Sequence, residues 1–301
     1  MTILVNYVSV MVFIGLLLNI PLLIIILKKN LLSQWDGVIT GALIILLIFL
    51  FSPMLWLGMI FFFFTSSFLS KWKIKEKKPT NVEFAKGSQR DAVQVLSNSL
   101  PAILFGSLYF LSEIVPILSA NMLPPIVIVS PWMIASFTAI ATHNADTWMT
   151  EIGITVKRYP RLITNLKKKV QHGTSGGITP EGTIAGVIGS FSLAAIYFLG
   201  IIITKTSLIS STFEVIILIT IGGVLGGLID SLEGATIQGI YYCEKCQKET
   251  ESKIHRCGNT SKFHRGYFLI SNDFVNLSSA LISGIIISLI YSLFFVPFDL
   301  I

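Results

Sequence analysis

The chain has 301 residues, of which 53% are hydrophobic and only 13% charged, with a mean hydropathy of +0.77. Soluble domains carry about 25% charged residues, so this composition excludes an ordinary soluble domain and points to an integral membrane protein. The net charge of +6 is not evidence of nucleic-acid binding, because in membrane proteins a Lys and Arg excess chiefly records orientation.

A spanning helix needs about 20 apolar residues. The first is expected over residues 3–27, stopping at Lys28-Lys29. It has no basic leader and is longer than a signal-peptide core, so it reads as a retained helix. Residues 37–70 are nearly all apolar. As one helix they would extend about 50 Å, against a core of roughly 30 Å, so two helices are expected, breaking near Ser52-Pro53. The basic run 71–78 and a polar stretch to 98 follow, then a helix over 99–119, a turn at Asn121 and Pro124-Pro125, and a helix over 125–142. Further helices are expected over 183–204, 213–232 and 275–297, with polar loops at 143–182 and 236–270. With the N-terminus outside, 21 of the 22 Lys and Arg fall in inside segments, leaving only Lys205. The expected fold is therefore all-α, integral to the membrane: a single polytopic bundle of about eight transmembrane helices over 1–301. Both termini lie outside, the large loops are cytoplasmic, and a small zinc-ribbon-like loop at 240–270 is inserted between helices 7 and 8. No internal repeat is evident.

Acids near the bilayer are costly and are functional candidates by default. Four polar islands fall at the cytoplasmic helix ends. In the first, Arg90, Gln94 and Asn98 stand at helical spacing; this is either a solvated helix entry or one wall of a headgroup site. The second is His143-Asn144-Ala145-Asp146-Thr147, directly after an apolar helix. Asp146 is its leading candidate, with Asn144 beside it. Glu151 lies about 140° around a helix from Asp146, so those two acids need not meet. The third joins Lys167, Lys168 and Lys169 to the turn Gly173-Thr174-Ser175-Gly176-Gly177, ahead of Pro180 and Glu181. A Gly-rich turn opening a helix, with lysines upstream, suits phosphate, although no Walker A ending is present; the alternative is a flexible loop with orientation-setting lysines. The fourth holds Asp230 and Glu233, three residues apart on one helix face, followed by Gln238, with Asp273 and Asn276 at the same spacing in the next helix.

Three acids at one membrane face (Asp146, Asp230, Asp273), with Glu233 nearby, suggest Mg²⁺, which takes carboxylate oxygens together with substrate phosphates. Phosphoryl or nucleotidyl transfer follows. The three cysteines all lie within 243–257 and form no disulfide framework. Cys243, Cys246, His255 and Cys257 supply four ligands for a closed, structural Zn²⁺ site, with His264 as a spare. Reduced cysteines without metal are the alternative. The cluster is read as separate from the four islands.

The runs ADTWMTEIG, PRLIT, GTSGGIT, DSLEGATIQ, NDFVN and RDAVQVLSN, with the Cys-x-x-Cys and His-x-Cys-Gly pairs, resemble the transmembrane protein 19 family over about residues 20–295. The plant branch of that family includes phytyl-phosphate kinase. The resemblance implies conversion of an isoprenoid monophosphate to the diphosphate. A weaker similarity reaches the CTP-dependent dolichol kinases and phosphatidate cytidylyltransferases. Their Asp-x-x-Glu element resembles Asp230 to Glu233. Their Asp-x-x-Asp element departs here, with Asn276 in the last place.

The expected function is Mg²⁺-dependent phosphoryl transfer from a nucleoside triphosphate, CTP by the resemblance, to an isoprenoid phosphate lying in the lipid bilayer. Asp146, Asp230, Asp273 and Lys168 are the expected catalytic residues. The phosphate-binding set is Arg90, Gln94, Asn98, Asn144, Lys167, Lys169, the Gly173–Gly177 turn, Gln238 and Asn276. The acceptor is already ionised, so no strong general base is needed, which fits the absence of an obvious catalytic His; His143 and His172 stay open as alternatives. The rivals are a cytidylyltransferase making a CDP-lipid and a non-enzymatic lipid-binding or transport protein.

Overall fold

The long apolar runs fold as helices, and the chain is polytopic and mostly helical. The computed structural model describes residues 2–28, 35–72, 91–120, 122, 129–203, 212–255 and 257–295. Arg90, Asn121, Pro124-Pro125, Lys205 and most of the 71–78 basic run lie outside them. Among the described residues there are eight helices: α1 (Thr2–Lys28), α2 (Trp35–Phe51), α3 (Pro53–Lys71), α4 (Ala92–Ser119), α5 (Pro131–Gly153), α6 (Pro180–Ile203), α7 (Thr212–Thr236) and α8 (Asn272–Phe295).

The break between α2 and α3 falls at the expected place. Ser52 is extended (φ −163°), its Oγ accepts the Met54 N–H at 3.2 Å, and Pro53 opens α3. Proline suits this position because the first-turn N–H has no helical partner anyway. Helix α4 starts at Ala92 rather than 99, because Asp91 caps it by accepting the Gln94 N–H at 2.9 Å. It passes through a π turn at Phe110–Ile114.

Six helices (α1, α3, α4, α6, α7 and α8) are long and apolar enough to cross a membrane. Large side chains stand exposed around the bundle, among them Phe13, Leu43, Phe68, Phe213 and Phe294, forming an apolar exterior suited to lipid. The two helices outside that group differ from expectation for physical reasons. Helix α2 has only 17 residues. Helix α5 runs over 131–153 rather than 125–142, so the polar segment after residue 142 is helical. Ser130 caps it, and every residue from Met133 to Ala145 is buried. α3, α4, α6, α7 and α8 all pack against it. A helix shielded from lipid can carry Ser136, Thr142 and Asn144 in its interior because each is hydrogen-bonded, while Thr138 Oγ1 is buried with no hydrogen-bond partner among the described residues.

Small residues let α5 and its neighbours approach closely. A Cβ on Gly226 of α7 would lie 2.2 Å from Thr142 Oγ1, and one on Gly223 2.2 Å from Ser190 Oγ. Thr142 Oγ1 in turn is 2.8 Å from Ser283 Oγ of α8. Gly226→Ala is expected to lower stability by about 1–3 kcal/mol through overpacking, read as a reduced unfolding midpoint in mixed micelles.

Two small sheets cap one end of the bundle; the one in the Cys/His loop accords with the expected zinc-ribbon-like character, and the one in the 143–182 stretch is not expected from the sequence. The 143–182 stretch beyond α5 forms β1 (Arg161–Leu162), β2 (Asn165–Lys169) and β3 (Gly177–Ile178), ordered β2-β1-β3. The Cys/His loop forms β4 (Ile240–Cys243), β5 (Lys248–Thr250) and β6 (Lys262–Arg265), ordered β5-β4-β6 and all antiparallel.

Candidate functional site

Helical periodicity places the first two acids opposite each other. Thr142 of α5 faces Gly226 of α7, and one turn further toward the capped end these positions become Asp146 and Asp230. Gly227 keeps the approach close: a Cβ there would lie 3.5 Å from the Asp146 backbone nitrogen. Both carboxylates are half-buried. Asp146, Asp230 and Glu251 lie within electrostatic reach of one another, with Glu233 beside Asp230 and Glu151 beside Asp146. Helix α8 supplies hydroxyls: Ser279 Oγ donates to Asp230 Oδ2 at 3.4 Å, and Ser278 Oγ donates to Glu233 Oε2 at 2.5 Å.

Asp273 sits apart from this pair. It is in the first turn of α8, six residues before Ser279 and so about 9 Å along the helix from it. Among the described residues, Asp146, Asp230 and Asp273 are not drawn together as a three-carboxylate set with all ligand atoms within 4.8 Å; the Cys/His group alone meets that spacing. Two carboxylates still suffice for Mg²⁺, which keeps waters and completes its shell with substrate phosphates.

Several other expected residues are held within the bundle. Asn144 is fully buried; its Oδ1 accepts from Thr65 Oγ1 at 2.9 Å and its Nδ2 donates to the Gly189 carbonyl at 2.8 Å, tying α5 to α3 and α6. Asn276 Nδ2 donates to Asn98 Oδ1 at 3.3 Å, joining α8 to α4. Glu151 accepts from Ser70 Oγ at 2.6 Å. Gln94 Oε1 is buried with no hydrogen-bond partner among the described residues.

The Gly-rich turn rests on the last turns of α7. Gly176 has φ +83°, and a Cβ there would lie 2.4 Å from Ala235 Cβ and 2.8 Å from the Ser231 carbonyl. The position therefore needs glycine on both conformational and steric grounds. Gly177 N–H donates to the Thr174 carbonyl at 2.9 Å. The N-terminus of α6 is capped from within, since Thr179 Oγ1 accepts the Gly182 N–H at 3.0 Å. Ser175 Oγ donates to Gln238 Oε1 at 2.7 Å, and Gln238 Nε2 donates to Glu251 Oε1 at 2.9 Å. Gln238 is buried, so this chain links the turn to the acids.

Cys243, Cys246, His255 and Cys257 converge, with all four ligand atoms within 4.8 Å of one another. Cys243 Sγ lies 3.7 Å from Cys257 Sγ, against about 3.8 Å for two thiolates on a tetrahedral zinc with Zn–S near 2.3 Å. The Asn259 backbone N–H and the His255 side chain hold the Cys257 thiol down to about 6. A hydrogen bond to Cys257 pushes Cys246 up to about 11. The group can hold a metal such as zinc, and its donor set fits a closed structural site.

Reading the Cys/His loop as separate is corrected by the structure. Glu251, next to β5, reaches the acid cluster, and Arg265 of β6 fastens the module to the bundle. Arg265 Nη1 donates to the Gly234 and Ala235 carbonyls, each at 3.1 Å, and Arg265 Nη2 to the Ser175 carbonyl at 3.4 Å. Glu251 and Arg265 were missed because nothing in their spacing relates a short polar loop to helices tens of residues away. The excess of acids and bases over the four ligands was the one available signal.

Eight helices among the described residues, five of them packed around the buried polar helix α5, with carboxylates and a metal-competent module at one end, define a polytopic membrane protein with a candidate site at one end of its bundle. The chain belongs to the family described as integral membrane protein DUF92, which matches residues 17–284. It is 30% identical over 244 residues to Protein PGR of Arabidopsis thaliana, covering 76% of this chain and 78% of that protein. It is 27% identical over 277 residues to an uncharacterized membrane protein of Methanocaldococcus jannaschii, covering 91% and 92%. A further uncharacterized membrane protein, from Synechocystis, is 27% identical over 222 residues, covering 70% and 73%. The resemblance to the transmembrane protein 19 family is thereby shown. No solved structure matches the chain.

Proposed function

We propose that the protein transfers a phosphoryl group from a nucleoside triphosphate, CTP by the family resemblance, to an isoprenoid monophosphate, giving the diphosphate. The observation that carries this reading is the facing of Asp146 and Asp230 across α5 and α7, with the Gly173–Gly177 turn resting on the next turns of α7. The polar end is assigned to the cytoplasm, where the donor is available, and the isoprenoid tail to the lipid beside the apolar helices.

In this reading an oxygen of the acceptor phosphate attacks the terminal phosphorus of the donor. The bond to the bridging oxygen breaks, and the nucleoside diphosphate leaves. Asp146 and Asp230 would hold Mg²⁺, which, when bound, offsets charge on the donor phosphates. Lys168, Lys169 and the Gly173-Thr174 backbone bind and orient the phosphate chain. Ser279 fixes the Asp230 carboxylate, and Gln238 positions the turn against Glu251. Asn98, Asn144 and Asn276 act as positioning residues, because their amides join helices. Asp273 stands at the rim, where it meets the donor rather than completing a three-acid set.

Product analysis with CTP tests the reaction class. Terminally labelled CTP is expected to yield labelled prenyl diphosphate and free CDP. Cytidine label in the lipid with released pyrophosphate would assign the protein to the cytidylyltransferases instead. Prenyl phosphate moved across vesicles with no nucleotide consumed would make it a transporter.

A further inference from the structure

A groove of about 710 Å³ runs between the β1–β3 sheet and the Cys/His module, within the size range of small-molecule sites. Lys168 and Lys169 line one wall and Lys248 and Arg265 the other, while Glu249 is the one lining carboxylate. Glu249 is already engaged, 3.3 Å from Arg265 and 3.6 Å from His264. No carboxylate among the described residues lies in a salt bridge with Lys168, Lys169 or Lys248. Lys168, Lys169, Lys248 and Arg265 against the single Glu249 leave the lining with an excess of positive charge, which favours an anion. On the first wall His172 adds a buried Nδ1 with no hydrogen-bond partner among the described residues.

The position of the groove says which phosphate it takes. Its floor is Ala235, in the last turn of α7. Ala235 is five residues, or about 7.5 Å, along that helix from Asp230. Tyr159, Leu162, Val170 and Tyr242 share the lining with the cations, but the groove lies in the polar cap at the bundle's end rather than along its apolar exterior, where an isoprenoid tail would lie, and a triphosphate finds cations on both sides.

Building on the phosphoryl-transfer reading, we propose that this groove binds the triphosphate of the nucleotide donor, and that the Cys/His module exists to supply its second wall. Lys248 is then a donor-binding residue, placed by the Cys243–Cys246 turn that immediately precedes it.

The test uses the full-length, zinc-loaded protein in detergent micelles, with equilibrium binding of labelled CTP and of farnesyl phosphate measured separately. Lys248→Gln is expected to weaken CTP binding about tenfold or more, the loss of one charge-assisted contact. Lys248→Arg is expected to restore most of it, and inorganic tripolyphosphate to compete on the parent protein. Farnesyl phosphate binding should be unchanged in both variants. Unaltered CTP binding in Lys248→Gln, or selective loss of farnesyl phosphate, overturns the assignment even where prenyl diphosphate is still made. Loss of CTP binding in Lys248→Gln, with no phosphoryl transfer by the parent protein, leaves the groove assigned and removes the kinase reading.

Discussion

Asp230→Asn should reduce prenyl diphosphate formation by about a hundredfold or more, while leaving the protein folded and monodisperse in detergent. Loss of a group that stabilises charge in a transition state costs about 10²–10³ in rate, and Asp230 is central to the acid cluster. Asp146 and Glu251 lie within its reach, and Ser279 is hydrogen-bonded to it. The substitution keeps the side-chain shape and an acceptor for Ser279, so helix packing is little disturbed. Asp146→Asn should behave alike. Asp273→Asn should cost clearly less, since Asp273 stands outside the cluster. Rates from labelled product and folding from size exclusion check all three. Near-normal product from Asp230→Asn would remove the proposed role of the acids.

Cys243→Ser should eliminate bound zinc and unfold the module over residues 240–265 without dismantling the helical bundle. Cys243 is buried at the end of β4, with Cys257 Sγ at 3.7 Å. Small metal modules draw their folding free energy from the metal, on the order of 10 kcal/mol, and three short strands have little apolar core to replace it. Metal analysis is expected to find about one zinc per chain in the parent protein and none in the variant. Amide exchange should rise across β4–β6 while the helices stay protected. Because Arg265 and Glu251 leave with the module, phosphoryl transfer should fall too. Zinc content at the parent level in the variant would refute the assignment of Cys243 as a ligand.

How much was legible in the sequence follows from the range of each interaction. The break at Ser52-Pro53 was readable because a proline acts on its own backbone, whatever surrounds it. The Cys/His set was readable because its members lie within 15 residues of one another and metal geometry demands that spacing. Helix α5 was misplaced by several residues because burial among its neighbours decides its character, and hydropathy sees only an interrupted apolar run. The β1–β3 sheet was not legible because strands of two to five residues carry no usable periodicity.

The sequence by itself determined the membrane class, the metal-competent cysteine group and the acids worth testing, and it led to eight helices, the number found among the described residues, of which six are long and apolar enough to span. All of these rest on local composition or on contacts a few residues apart. Only the tertiary structure decided which acids meet. Glycines on α7 set its register against α5, bringing Asp230 to Asp146 and leaving Asp273 about a turn and a half away. It also turned Asn144 inward to serve packing. And it folded the Cys/His module back onto α7 through Arg265, bringing Glu251 to the acids and Lys248 to the groove beside them, which their sequence positions do not predict. Such placements depend on the angles at which helices pack, and those are set by close contacts between residues far apart in the chain.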